Sequence, residues 1–192
     1  MATGLNYVVP FRRKREERTD YRKRLTLLRS HTARMVVRKS LRHLSMQLID
    51  YSPEGDKVLV SAHTRELAKH GWKAGTDNLS AAYLCGILLA KKAKAKKITK
   101  AIADLGMYPS VKGNKLYATI KGAIDGGLQI PFDAAIAPDI KRLRGEHIAA
   151  WAVHVKKDAK KHPHQFTLYT KNGLPPEQLP QHFDDIKKKL MS

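Results

Sequence analysis

Acidic residues, cysteines and long apolar segments are all scarce in this chain. Its 192 residues include 17 Asp and Glu against 37 Lys and Arg, which gives a formal net charge of +20. The single Cys85 excludes an internal disulfide and is typical of a reducing compartment. The apolar run at residues 87–90 is too short for a membrane span, and no apolar segment follows the early arginines as in a signal peptide. We therefore expect a cytoplasmic protein.

The remaining composition indicates a folded protein with an anionic partner. Hydrophobic residues make up 42% of the chain, which is enough for one sizeable core. A folded protein with such an excess of cations is destabilised by its own field, and a polyanion relieves that repulsion. Nucleic acid is the first candidate because lysine and arginine release counterions from its phosphates. A membrane surface is the weaker alternative, since the lysine run at residues 91–97 has mainly alanine beside it.

The largest number of cations lies in the N-terminal part of the chain. Between Met1 and Ser45 there are 13 Lys and Arg against three acids. We expect an extended arm up to Arg24, with room for a short helix over residues 16–28 and no core contacts of its own. Arginine outnumbers lysine there and aromatic residues are interleaved, which favours contacts with phosphates and exposed bases over the alternative of a functionless solvated tail.

Alternating apolar residues predict a β-sheet after the arm. Three strands joined by tight turns predict an antiparallel meander, whose polar face carries Arg34 or Arg38, His43 and Gln47. A long helix and then a fourth strand extend it, with that strand parallel to the third in a β-α-β unit. The predicted strands are residues 34–39, 41–50, 57–62 and 98–105, and the helix is residues 79–97.

Helical periodicity dominates the second half of the chain. We predict a helix over residues 115–126, two short helices around Gly145, a charged linker at 156–163, a strand at 165–169 and a final amphipathic helix. The fold class is therefore α/β, with helices packed on one face of the sheet, a basic N-terminal arm and a helical C-terminal extension. The expected divisions are residues 1–30, 31–135 and 136–192.

No stretch of the sequence carries a catalytic motif. There is no phosphate-binding glycine loop, dinucleotide turn or metal-ligand spacing, so we expect no enzyme activity, no cofactor and no metal. Cys85 lies in an apolar helix, where a structural thiol is the better interpretation. The loop around Trp72 precedes a helix N-terminus and could seat a phosphate, although packing is an equal alternative for the ring. The lysine run is balanced between RNA contact and complementation of the helix dipole.

Several motifs resemble one ribosomal protein family. They are PFRRKR at residues 10–15, TDYRKRL at 19–25, VVRKS at 36–40, GWKAGT at 71–76, GAIDGGL at 122–128, RGEHI at 144–148 and LPQHF at 179–183. Together they cover nearly the whole chain, in order. The sequence is similar to universal large-subunit ribosomal protein eighteen in its archaeal and eukaryotic form, and its short tail favours the archaeal form.

The resemblance implies a structural role. Family members grip 5S rRNA with the basic arm and the meander face. They anchor it to the large-subunit, 23S-type rRNA in the central protuberance, beside universal large-subunit protein five. A nucleic-acid chaperone or an enzyme acting on RNA outside the ribosome is the alternative. The candidate RNA-binding residues are Arg12, Arg13, Lys14, Arg15, Arg18, Tyr21, Arg22, Arg24, Arg34, Arg38, Lys39, His43, Trp72, Thr76 and Asn78.

Overall fold

The computed structural model describes Gly4, residues 6–157 and residues 165–191. A four-stranded sheet lies at its centre, in the order β3-β2-β1-β4. The strands are β1 (Arg34–Lys39), β2 (Leu44–Asp50), β3 (Lys57–His63) and β4 (Ile102–Asp104). The α-helices are α1 (Arg12–Arg15), α2 (Tyr21–Leu28), α3 (Leu79–Ala95), α4 (Lys115–Asp125), α5 (Ile140–Arg144), α6 (Glu146–Lys157), α7 (Thr167–Lys171) and α8 (Leu179–Met191). Short 3-10 helices occupy Thr64–His70, Ala134–Ile136 and Pro176–Gln178.

The predicted antiparallel meander is confirmed. β1 pairs with β2, and β2 with β3, both antiparallel. Leu44, Met46 and Leu48 are fully buried, as their alternation predicted. β2 begins three residues later than expected because Ser40 and His43 close a turn between the strands, with the Ser40 amide donating to the His43 carbonyl.

The fourth strand is shorter than predicted. It runs parallel to β3, as expected for a β-α-β unit, but its hydrogen-bonded neighbour is β1. Only Ile102–Asp104 is strand, and Lys100 forms a single isolated bridge with Gln129. The sheet is therefore mixed, and it places Asp104 beside the basic strand β1.

Helix α3 is the centre of the hydrophobic core. Asn78 caps its N-terminus by accepting from the Ala81 amide at 2.7 Å. Every residue from Ser80 to Ala90 is buried, so the helix is covered all round and not on one stripe alone. It packs closely on α4 because two glycines meet there: a Cβ on Gly86 would overlap the Thr119 carbonyl, and one on Gly122 the Tyr83 carbonyl.

The C-terminal elements agree with the sequence in part. The two helices around Gly145 and the final amphipathic helix are confirmed, and α8 packs against α3. The predicted strand at 165–169 is wrong, because Thr167–Lys171 is a helix whose Tyr169 side chain is buried. Helix α6 extends to Lys157, into the predicted linker at 156–163, of which residues 158–163 lie outside the described part. The overall α/β class is as expected, and no described helix is long and apolar enough to cross a membrane.

Candidate nucleic-acid interface

The N-terminal arm contains two short helices with exposed cations. Asp20 begins α2 by accepting from the backbone amides of Arg22 and Lys23 at 3.0 and 3.1 Å. The Phe11 and Tyr21 rings lie 5.1 Å apart and link the two helices. The helix expected over residues 16–28 therefore begins only at Tyr21. Most of the predicted arm cations are exposed, namely Arg12, Arg13, Lys14, Arg15, Arg18 and Arg22.

The arm contacts the sheet through one carboxylate, which corrects the expectation of an arm without core contacts. Arg24 of α2 donates to Asp56 Oδ1 at 2.8 Å. Asp56, the last residue of the β2–β3 connection, also accepts from Arg34 at 2.8 Å through Oδ2. Burial opposes the ionisation of Asp56, but the hydrogen bonds from Arg24 and Arg34 outweigh it, so the pKa of Asp56 lies below its ordinary value.

A second carboxylate continues the network across the sheet. Arg34 Nη1 lies 3.0 Å from Asp104 Oδ2, and Arg38 Nη2 lies 3.3 Å from Asp104 Oδ1. The guanidinium of Arg38 also packs on Gly106, where a Cβ would lie 3.0 Å from Arg38 Cζ. From the sequence alone, Asp104 is only an available acid–base group and Asp56 has no assigned role, because their arginine partners are distant along the chain.

The predicted cations of β1 differ in accessibility. Arg34 is 2% exposed, so it holds the network together and its guanidinium is not on the surface. Arg38 is half-buried and Lys39 is exposed. The Lys39 ammonium lies 5.0 Å from the centroid of the Tyr108 ring, whose hydroxyl donates to the Lys39 carbonyl at 3.0 Å. Arg38 and Lys39 are therefore the cations that this strand presents to a partner.

His43 lies on the β1–β2 turn, beside another histidine. Its ring is 4.9 Å from that of His63, and its Nδ1 lies 3.4 Å from the Thr64 hydroxyl. Burial, followed by the nearby His43 and Arg65, lowers the pKa of His63. Because β1 carries Arg38 and Lys39 towards the same turn, His43 lies at the end of the sheet that also presents these cations.

The loop before α3 uses its polar groups within the fold. The Trp72 ring is 4% exposed, stacks on His182 of α8 at 5.2 Å and donates from Nε1 to the Gly75 carbonyl at 3.1 Å. Thr76 donates to the Arg42 carbonyl at 2.8 Å. Asn78 caps α3, as described above. Of the two interpretations of Trp72, this geometry supports packing, because both ring faces are covered.

The lysine run at the end of α3 divides into two sets. Lys92 donates to the Ser61 carbonyl at 2.8 Å and to Glu66, and Lys96 donates to the Leu59 carbonyl at 2.6 Å. These two lysines therefore cover the outer edge of β3. The others remain exposed, namely Lys91, Lys94 and Lys97.

The arm and the sheet enclose a cavity of about 960 Å³. Its lining brings together α2, the face of the sheet away from α3 and the loop after β4. Seven cationic and three acidic side chains line it. In the described part of the chain, no three His, Cys, Asp or Glu side chains are grouped so that they could hold a metal ion.

A family model decides what kind of protein this is. The model of the ribosomal large-subunit proteins 60S L5 and 50S L18 matches residues 5–102, just over half of the 192 residues. The chain belongs to this 60S L5/50S L18 family. The matched segment contains the arm, β1 to β3 and α3, and every predicted RNA-binding residue lies within it.

Membership of the 60S L5/50S L18 family gives the general function. The chain is a constituent of the large ribosomal subunit, and its partners are rRNA and other ribosomal proteins. The membership indicates a structural and not a catalytic role. Positive charge is what rRNA phosphates require, and this family member presents it on the arm and at the end of β1.

Proposed function

We propose that this family member binds 5S rRNA and anchors it to the 23S-type rRNA in the central protuberance of the large subunit of cytoplasmic ribosomes. Universal large-subunit protein five is the neighbour that we propose for it, and the archaeal form is the one its sequence resembles. The observation that carries the proposal is the pairing of two cationic surfaces. The exposed cations of the arm lie on the same side of the sheet as Arg38 because the Arg24–Asp56 contact holds α2 there.

The two surfaces suit different parts of RNA recognition. The exposed arm cations suit phosphates, and such contacts contribute to affinity in a salt-dependent manner. Arg38 is held by Asp104 and the Val37 carbonyl, so it offers a cation at a fixed position. A fixed cation sets the register of the RNA on the sheet, and the arm cations then add contacts around it.

The test compares two triple variants that remove equal charge. Arg12→Ala, Arg13→Ala and Arg15→Ala remove three exposed cations from the arm, whereas Lys91→Ala, Lys94→Ala and Lys97→Ala remove three from α3. Binding to 5S rRNA is measured by filter binding over a range of salt concentrations. Deletion of residues 1–24 serves as the larger perturbation.

The arm triple variant should bind 5S rRNA more weakly and reduce the salt slope by about 0.9 for each lost phosphate contact. The deletion should reduce both further. The lysine triple variant should retain most of the affinity, because its cations lie away from the arm and β1. Equal losses in the two triple variants would show that net charge alone governs binding, which would contradict the proposed site.

A further inference from the structure

The cavity between the arm and the sheet has three distinct walls. Val36 and Ile49 form an apolar floor on the face of the sheet that also carries Arg34. Helix α2 and the turn before it form the roof, and the loop after β4 contributes Tyr108 on the third side. The volume of about 960 Å³ is at the upper end of small-ligand pockets, which are roughly 300–1,000 Å³. The space therefore accommodates flat rings against the floor and charged groups against the roof.

The charges around the cavity are unbalanced in favour of an anion. Its acids are all engaged: Asp20 by backbone amides, Asp56 and Asp104 by the arginine network. The side chains of Arg22 and Lys23 line the roof without an acidic partner among the described residues. An occupant that neutralises these two cations must carry negative charge, and one that covers the floor must also carry an apolar face.

We propose that the cavity receives unpaired nucleotides of the bound RNA, with bases on the apolar floor and phosphates at Arg22 and Lys23. The inference rests on the proposed function. It narrows the part of the bound rRNA that contacts this cavity to unpaired segments. A nucleotide combines a flat π-face with an anionic phosphate, which matches both walls. Paired bases are stacked inside a helix and cannot reach a floor that lies beneath α2.

The test fills the cavity without changing any charge. Thr26 lies on α2, is exposed and lines the cavity, so Thr26→Trp places a large ring in it. Leu25→Trp is the matched control, because Leu25 is the preceding residue on the same helix, is 58% exposed and does not line the cavity. Val36→Met fills the space independently from the floor, because Val36 lies on the same face of β1 as Arg34 and Arg38. Circular dichroism and urea unfolding check that each full-length variant is folded.

The probes are two oligoribonucleotides with equal numbers of phosphates, a hairpin with an unpaired loop and a fully paired duplex. Affinities are measured by fluorescence anisotropy. Thr26→Trp and Val36→Met should weaken hairpin binding by about fivefold, the lower end of the range for loss of base stacking on aromatic rings, because the floor is aliphatic. Duplex binding should be unchanged. Leu25→Trp should match the wild-type protein with both probes.

The outcomes separate this inference from the proposed function. If the wild-type protein binds the hairpin but Thr26→Trp and Val36→Met bind it as tightly as Leu25→Trp does, the cavity assignment is overturned and RNA binding stands. If the variants lose duplex and hairpin affinity equally, the cavity does not discriminate unpaired nucleotides and the inference is again wrong. If the wild-type protein binds neither probe, the proposed function itself fails.

Discussion

Replacement of Asp56 by alanine should release the arm and destabilise the sheet together. Asp56 is the carboxylate that Arg24 of the arm and Arg34 of β1 share, each at 2.8 Å. The Arg34 side chain is 3% exposed, so water cannot replace the lost partner. Asp104 remains as the second partner of Arg34 at 3.0 Å. The variant therefore leaves one buried guanidinium only half satisfied.

The exposure of Asp56 and its partners sets the expected loss of unfolding free energy. Removal of one member of a fully buried ion pair costs roughly 3–5 kcal/mol. The Asp56 side chain is 26% exposed and Arg34 keeps Asp104, so the cost should be smaller, about 2 kcal/mol. Arg24→Ala breaks a more exposed pair and should cost about 0.5–1 kcal/mol. The difference in unfolding free energy between Asp56→Ala and Arg24→Ala therefore measures the buried Asp56–Arg34 contact apart from the Asp56–Arg24 contact of the arm.

Urea unfolding of the full chain without RNA measures both losses. In a separate thermal unfolding experiment, Asp56→Ala should lower the melting temperature by about 4–8 °C, on the scale of roughly 2–4 °C per kcal/mol for a chain of this length. Arg24→Ala is the matched control, because it removes the arm contact and leaves Arg34 with two carboxylates. Equal losses of unfolding free energy in the two variants would refute the view that the buried guanidinium is what Asp56 mainly stabilises.

The same contact has a defined pH dependence. Because its partners hold the pKa of Asp56 below the ordinary value of 3.8, the ionised carboxylate stabilises the fold above that pH. The contribution is lost as the pH falls through the folded-state pKa. The difference in stability between the wild-type protein and Asp56→Ala should therefore be constant from pH 5 upwards, within about 0.3 kcal/mol, and should shrink below pH 4. A difference that grows on acidification would contradict this sign.

Three further outcomes test the core and the sheet edge. Gly122→Ala should cost at least about 2 kcal/mol of unfolding free energy, because the new methyl meets the α3 backbone, and an unchanged urea midpoint would contradict it. Cys85 should resist iodoacetamide until the chain unfolds, since burial raises the pKa of its thiol; prompt alkylation of native protein would argue otherwise. The double variant Lys92→Ala and Lys96→Ala should uncover the edge of β3 and promote aggregation, measured as increased light scattering. Lys94→Ala, which removes an exposed lysine, is the control and should leave the scattering unchanged.

Local patterns in the sequence predicted the sheet and the main helices. Alternation at Leu44, Met46 and Leu48 is a property of neighbouring residues, so it defines a strand without knowledge of the fold. Asn78 precedes the long helix as a cap, and the helix begins at the next residue. The family motifs within residues 5–102 are likewise continuous in sequence. Each of these features is decided within a few residues of the chain.

Features that depend on distant residues were not predicted. Arg34 and Asp104 are 70 residues apart and meet only because β4 pairs with β1. The sequence favoured a strand at residues 165–169, but Tyr169 is buried in the fold and the segment turns into helix α7 at Thr167. Phe166, with φ at 64°, marks the reversal before that helix. Tertiary packing overrode β propensity here, as happens readily in short segments.

The arginine network explains how so cationic a chain keeps its arm on its sheet. Arm and β1 carry like charges, which alone would drive α2 away from Arg34 and Arg38. Two carboxylates, Asp56 and Asp104, lie between the three arginines and convert that repulsion into attraction. The Arg24–Asp56 contact places α2 against the sheet, so binding of RNA to α2 loses less conformational entropy than it would with an unattached helix. Because these acids are already paired, they oppose an approaching phosphate less than free carboxylates would.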